Sequence, residues 1–189
     1  MTTANPSCTL EILVHLEPTA REGWPSSDDD RPLNDLGMRQ AEKLAEELGK
    51  VDAVFSSSAV RCRQSVEPLA KKLGLPVVVL PEFQIAAGYA APAGWGRADS
   101  SGPDPLGGAV SAGFAQASLN RVLEQLPSGG RAVICSYGDI IPVLLALLSG
   151  AYDVEMPKRV NGRGSIYTVV LGDDKATMQS RGPAAGFPT

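Results

Sequence analysis

Strand-length apolar runs alternate with helix-length amphipathic segments along this chain, and that alternation restricts its folds more than any other feature. EILVHL (11–16) reads as a buried strand with Glu11 at its mouth and His15 near its carboxyl end. VDAVFSS (51–57), PVVVL (76–80) and RAVICS (131–136) are further runs of this kind. The spacing in NDLGMRQAEKLAEELGK predicts a helix with Asn34 as N-cap, an apolar stripe of Ala41, Leu44, Ala45 and Leu48, and a stop at Gly49. AVRCRQSVEPLAKKLG predicts a second helix, closed by Gly74 and bent at Pro68. A third helix is expected over 114–126, with Phe114, Ala117, Leu123 and Leu126 among its apolar positions. A fourth should follow RAVICS, capped by Asp139 and interrupted by Pro142. Such alternation implies an α/β architecture: a three-layer α/β/α sandwich around a mostly parallel sheet. In such sheets ligands gather at the carboxyl ends of the strands, so the exits VHLEP and CSYGD are the places to look for chemistry.

The remaining segments are less regular. Residues 18–33 form a long loop rich in Pro, Asp and Ser, and DDDR (28–31) within it reads as a solvated stretch without metal-site spacing. Residues 85–113 are Gly- and Ala-rich with no sustained period and read as a long functional loop. GSIYTVVL and KATMQS flank a Gly-Asp-Asp turn and read as a terminal hairpin. With 189 residues the chain suits a single domain over 1–189, its core spanning about 11–180.

Composition excludes several function classes. The net charge is −4, and the densest basic stretch is only KRVNGR (158–163), which argues against a nucleic-acid surface. IIPVLLALLSG (140–150) is about half the length a bilayer span requires. The polar N-terminus lacks the apolar run of a signal peptide, and Cys8, Cys62 and Cys135 are too few and too scattered for a disulfide framework. A cytoplasmic location with reduced thiols is the expectation. His15 is the single histidine, which excludes the usual His–Cys zinc clusters. No dinucleotide fingerprint, phosphate-binding Gly-Lys loop or Gly-x-Ser-x-Gly elbow is present.

Five stretches in order resemble the histidine phosphatase superfamily, with its phosphoglycerate mutase-like fold. The likeness is greatest to the small SixA-type members and to the related domain fused to some Nudix hydrolases. ILVHLEP stands where the family has Leu-Val-Arg-His-Gly/Ala-Glu, and RPLNDLGMRQA where it has Arg-Pro-Leu-x-x-x-Gly-x-x-Gln-Ala. SSSAVRCRQS matches Ser-Ser-x-x-x-Arg-x-x-Gln-Thr, VICSYGDII matches Val-x-Ser-His-Gly-x-x-Ile, and GRGSIY supplies the closing Gly-Ser. The likeness spans roughly residues 11–171.

The resemblance implies a chemistry. A neutral imidazole attacks phosphorus and becomes phosphohistidine, cationic side chains hold the phosphoryl oxygens, and a carboxylic acid protonates the leaving oxygen. It implies no metal and no other cofactor. Carried over residue by residue, His15 falls on the nucleophile, Glu82 near the acid and Tyr137 on the second histidine. Arg61 falls on the phosphate clamp, and Glu17 follows the nucleophile as in the family. Two positions depart: Val14 replaces the arginine before the nucleophile, and Tyr137 the second histidine. Leu16 is also bulkier than the family's small residue. A frame slipped by one would put His15 on the arginine and leave no nucleophile; the frame that keeps Glu17 in register is preferred. Each lost donor to a developing oxyanion costs roughly 2.7–4 kcal/mol, about 10²–10³ in rate. Arg21, Arg31 and Arg97 are candidate stand-ins, and Tyr89, Trp95 and Arg97 are the large side chains of the 85–113 loop available to line a ligand.

Three functions stay open: a degenerate member that binds a small phosphorylated or anionic ligand or a partner, an active phosphatase through phospho-His15, and a repurposed pocket using Tyr137 and His15 as acid–base groups. No nucleic acid and no membrane is expected as partner, and a homodimer is left open.

Overall fold

The apolar runs pair side by side as parallel strands. The computed structural model describes residues 7–81, 83, 105–160, 162–172 and 175–183, with 105–107 described as backbone only. Strands β1 (Cys8–Val14), β2 (Ala53–Ser56), β3 (Val77–Val79), β4 (Arg131–Ser136), β5 (Ile166–Leu171) and β6 (Ala176–Arg181) form one sheet in the order β3-β2-β4-β1-β5-β6. β3, β2, β4 and β1 are mutually parallel. β5 runs antiparallel to β1, and β6 antiparallel to β5. The mixed α/β sandwich with a mostly parallel sheet is therefore as expected.

Helices cover both faces. α1 (Asp35–Glu47) and α2 (Val60–Leu73) pack on one side over Leu13, Val54 and Val133. α3 (Pro105–Gln125) and α4 (Ile141–Tyr152) pack on the other over Ile12, Phe55 and Ile134. Adjacent residues of each central strand thus go to opposite cores, as a side-chain period of two requires, and both are apolar because both faces are buried. This is why the strands read as continuous apolar runs rather than alternating ones.

Helix ends follow the local chemistry in α1 and α2. The Asn34 side chain accepts from the Gly37 amide at 2.9 Å, and the stripe Ala41, Leu44, Ala45 and Leu48 is buried. Gly49 and Gly74 take the left-handed conformation at φ 65° and 68°, where a side chain would be strained.

Three expectations fail. α3 starts at Pro105, inside the segment read as loop, because proline is well placed in a first helical turn while the Gly-Ala-Ser sequence after it carries no apolar period. Its buried face is Ala115, Ser118, Leu119, Val122 and Leu126, whereas Phe114 is 44% exposed and Ala117 also faces outward. Asp139 does not cap α4. The cap is Ile140, with no side-chain bond, and Pro142 falls in the first turn, where its missing amide breaks no helical hydrogen bond.

One buried carboxylate in the middle of β1 ties it to the neighbouring strands. Glu11, 5% exposed, receives Arg131 Nη2 at 2.7 Å on one oxygen and the Thr168 hydroxyl at 2.7 Å on the other. Arg131 also donates to the Leu48 carbonyl at 2.6 Å, so β1, β4, β5 and the end of α1 share one hub. Arg131→Met should lower stability by about 3–5 kcal/mol, since it leaves a buried charge without its cation. Glu11→Leu/Arg131→Met should cost much less, and urea unfolding of both variants checks the contrast.

Candidate functional site

At the carboxyl end of the sheet, three strand exits are laced together by backbone hydrogen bonds. The His15 amide donates to Ser136 O at 3.2 Å, and the Ser57 amide to Cys135 O at 3.0 Å. His15 and Tyr137 therefore leave adjacent strands side by side, while α2, which begins just after β2, brings Arg61 in its first turn. Several motif residues serve to fix the chain here. Ser65 accepts from the Leu16 amide at 3.0 Å and donates to Arg61 O at 2.7 Å. Gln40 accepts from the Glu17 amide at 3.3 Å and Gln64 from the Leu33 amide at 2.8 Å. A Cβ on Gly37 would stand 2.1 Å from Glu17 O, so only glycine lets α1 lie this close to the chain after β1.

The His15 ring is oriented by Nδ1, which lies 2.8 Å from the Leu16 carbonyl. A carbonyl only accepts, so Nδ1 carries the proton and Nε2 keeps its lone pair. Burial lowers the pKa to about 4, with the nearby Arg61, Arg163 and Arg31 charges adding to the effect against the Leu16 hydrogen bond. The imidazole is neutral at pH 7.

Arg61 is 2% exposed, yet its guanidinium does not stand open to solvent. It donates through Nη1 to Asp28 O and through Nη2 to Asp28 Oδ2, the latter at 2.8 Å. Asp28 opens a short 3-10 turn, Asp28–Asp30, that leans over the strand exits. Its other oxygen receives Arg31 Nε at 3.0 Å and Arg21 Nε at 3.2 Å. Burial opposes ionisation of Asp28, but Arg61, Arg31 and Arg21 together outweigh it and hold the carboxyl below its ordinary range. The next residue does the same for the tyrosine: Tyr137 OH donates to Asp29 Oδ1 at 2.6 Å. Burial, then this bond, raise the Tyr137 pKa far out of the neutral range, and the ring lies 4.9 Å from Arg61 Cζ in a cation–π contact. Arg61 Nε is buried with no partner among the described residues.

The DDDR stretch is solvated at Asp29 and Asp30, as expected, and is at the same time a wall of the site through the contacts of Asp28, Asp29 and Arg31. Its carboxylates lack metal-site spacing, but the arginines that grip them come from positions 21, 31 and 61 and meet only in the fold. Arg21 and Arg31, candidates to replace the cation missing at Val14, are both spent on Asp28; Arg31 also donates to Thr19 O at 2.8 Å. Glu17 pairs with Arg163, a residue that the sequence reading passed over although it lies inside the quoted GRGSIY. Its signal was there: a basic residue in a Gly-rich return to the sheet. Glu82, Trp95, Arg97 and Tyr89 lie outside the described residues. Cys62 and Cys135 are fully buried beneath the site. Among the described residues no group of three or more His, Cys, Asp or Glu side chains could hold a metal, and no helix is long and apolar enough to cross a membrane.

Comparison with known proteins bears on the fold and the motifs. The family model for the histidine phosphatase superfamily (branch 1) matches residues 17–85. The chain is 29% identical over 175 residues to the 8-oxo-(d)GTP phosphatase of Mycolicibacterium smegmatis (strain ATCC 700084 / mc(2)155), covering 89% of this chain and 46% of that protein. The chain thus spans about half the length of this curated relative. Among solved structures, the protein histidine phosphatase SixA complexed with tungstate superposes with a TM-score of 0.57 at 20% identity, covering 93% of this chain and 97% of that one. Phosphoglycerate mutase from Bacillus anthracis str. Sterne gives a TM-score of 0.65 at 17% identity, covering 96% and 95%. The sheet and these likenesses give the chain the phosphoglycerate mutase-like histidine phosphatase fold, and its residues 17–85 match the model of that superfamily.

Proposed function

We propose that this chain is a divergent histidine phosphatase superfamily member whose phosphate pocket is closed by its own acidic turn. It has weak or no phosphatase activity and acts by binding an anionic ligand or a partner. One observation carries the reading: Arg61 and Tyr137, the two donors facing the strand exits, are held by Asp28 and Asp29. A phosphoryl group reaching Arg61 competes with a carboxylate on the same chain, whose tether gives it a high effective concentration. Charge-assisted bonds contribute about 1.5–3 kcal/mol each, so displacement is costly. Val14 offers no donor in compensation.

One feature favours the second reading, an active phosphatase through phospho-His15. The imidazole is neutral and its Nδ1–H is held by a carbonyl, which leaves Nε2 ready to attack. The repurposed acid–base pocket gains no such support, because Asp29 holds Tyr137 as a bound, protonated donor.

Phosphate release from a generic aryl phosphate separates the first two. The parent should match His15→Ala within about threefold; a parent rate 10²-fold or more above that variant supports the active enzyme instead. Opening the turn with Asp28→Asn/Asp29→Asn should tighten tungstate binding about tenfold, roughly 1.4 kcal/mol, measured by calorimetry.

The single histidine makes a clean pH probe. Proton NMR of its ring should titrate near pH 4 rather than the ordinary 6.5. Because the folded chain binds this proton more weakly than the unfolded one, the contribution of neutral His15 to stability is whole above pH 6.5. It is lost as pH falls toward about 4, and His15→Asn should remove that part of the acid dependence in denaturant melts.

A further inference from the structure

The chain between α4 and β5 returns to the sheet beside the end of β1 and carries two arginines, Arg159 and Arg163. It is held from several directions. The Tyr167 hydroxyl donates to Val160 O at 3.0 Å and accepts from Val160 N at 3.2 Å. The Gly164 amide donates to Val14 O at 3.1 Å, and the Ser165 hydroxyl to Gly162 O at 2.8 Å. Gly162 sits at φ 130°, a conformation side chains rarely adopt.

Between this return, Val14 and the first turn of α4 lies a cavity of about 220 Å³, lined by Gly138, Ile141, Arg159, Gly162 and Arg163 among others. This lies below the roughly 300 Å³ at which drug-sized pockets begin. The dimensions suit a small oxyanion or one end of a larger ligand.

The charge points the same way. None of the described residues lining the cavity is a carboxylate. Glu17 pairs with one amino group of Arg163, and Arg159 has no ion-pair partner among the described residues. In a chain of net charge −4, this is a local surplus of fixed positive charge. Two arginines share the lining with the apolar Val14 and Ile141, and guanidiniums suit bidentate, partly dehydrated recognition of phosphate. The position is adjacent to His15, whose backbone follows Val14 directly.

We propose that this cavity is a second anion site, which takes a phosphate group on Arg159 and Arg163 while Arg61 stays bound to Asp28. The inference goes beyond the closed-pocket reading, because it supplies an anion site that the acidic turn does not obstruct.

The test is a titration of the full ¹⁵N-labelled chain with inorganic phosphate at constant ionic strength, followed by NMR. Saturable shifts are expected at the amides of Gly138, Gly162 and Gly164, with affinity at least tenfold weaker in Arg159→Gln/Arg163→Gln and only partly restored in Arg159→Lys/Arg163→Lys, because an ammonium keeps the charge but not the bidentate fork. Both arginines are exposed, so the variants should keep the parent's melting temperature. An absence of saturable binding overturns the proposal, as does binding indifferent to the double substitution. Shifts confined to Ser27–Asp30 and the Arg61 side chain also overturn it. That last outcome alone would show the acidic turn giving way to phosphate, and so would count against the closed-pocket reading as well; the other two leave that reading untouched.

Discussion

A guanidinium buried to the extent of Arg61 must have a counter-charge, and the architecture of the site follows from which one it has. The partner is Asp28, brought in by a loop rather than by a substrate. Once that carboxylate is in place, Arg31 and Arg21 gather on its second oxygen, and Asp29 falls within reach of the Tyr137 hydroxyl. The result is a cluster of three guanidiniums, two carboxylates and a phenol from residues 21–31, 61 and 137, with a neutral imidazole beside it. Burial is what chiefly disfavours protonation of His15, and two of the cations on the turn, Arg61 and Arg31, add to it.

The site's rigidity comes from residues without chemistry of their own. Gly37 permits an approach no other residue would, Gln40 and Gln64 accept loop amides, and Ser65 joins the chain after β1 to the first turn of α2. Part of the motif likeness is therefore about holding two loops against the strand exits. Such residues can persist whether or not the pocket performs phosphoryl transfer, so the motifs speak for fold more directly than for activity.

How much could be read beforehand follows from where the determining interactions lie along the chain. β4 was legible to the residue because six consecutive positions, 131–136, serve two buried faces and leave no ambiguity of period. α1 was legible because its cap, its stripe and its glycine stop agree. The start of α3 was not, since glycines and alanines around 107–113 resemble loop composition and the helix depends on docking further along. In the site, His15, Arg61 and Tyr137 were nominated from motif position, and the fold brings them to one end of the sheet. The role of Asp28 and Asp29 was not, because it depends on three arginines spread over forty residues that only the tertiary structure assembles. Arg163 was hidden for the same reason: its partner, Glu17, lies at the other end of the chain.

The turn that covers the site has no buried residue. It is attached by charge and hydrogen bonding alone, whereas the sheet beneath it is held by apolar burial. Dissolved salt therefore acts on the two very differently, for at physiological ionic strength charges are screened over about 8 Å while burial of hydrocarbon is not. The outer contact, Arg21 with 78% of its side chain exposed, loosens first, and Arg61 at 3% last. The cover is thus graded from a screenable rim to a sheltered root, and the saltiness of the surroundings is a variable to which it answers.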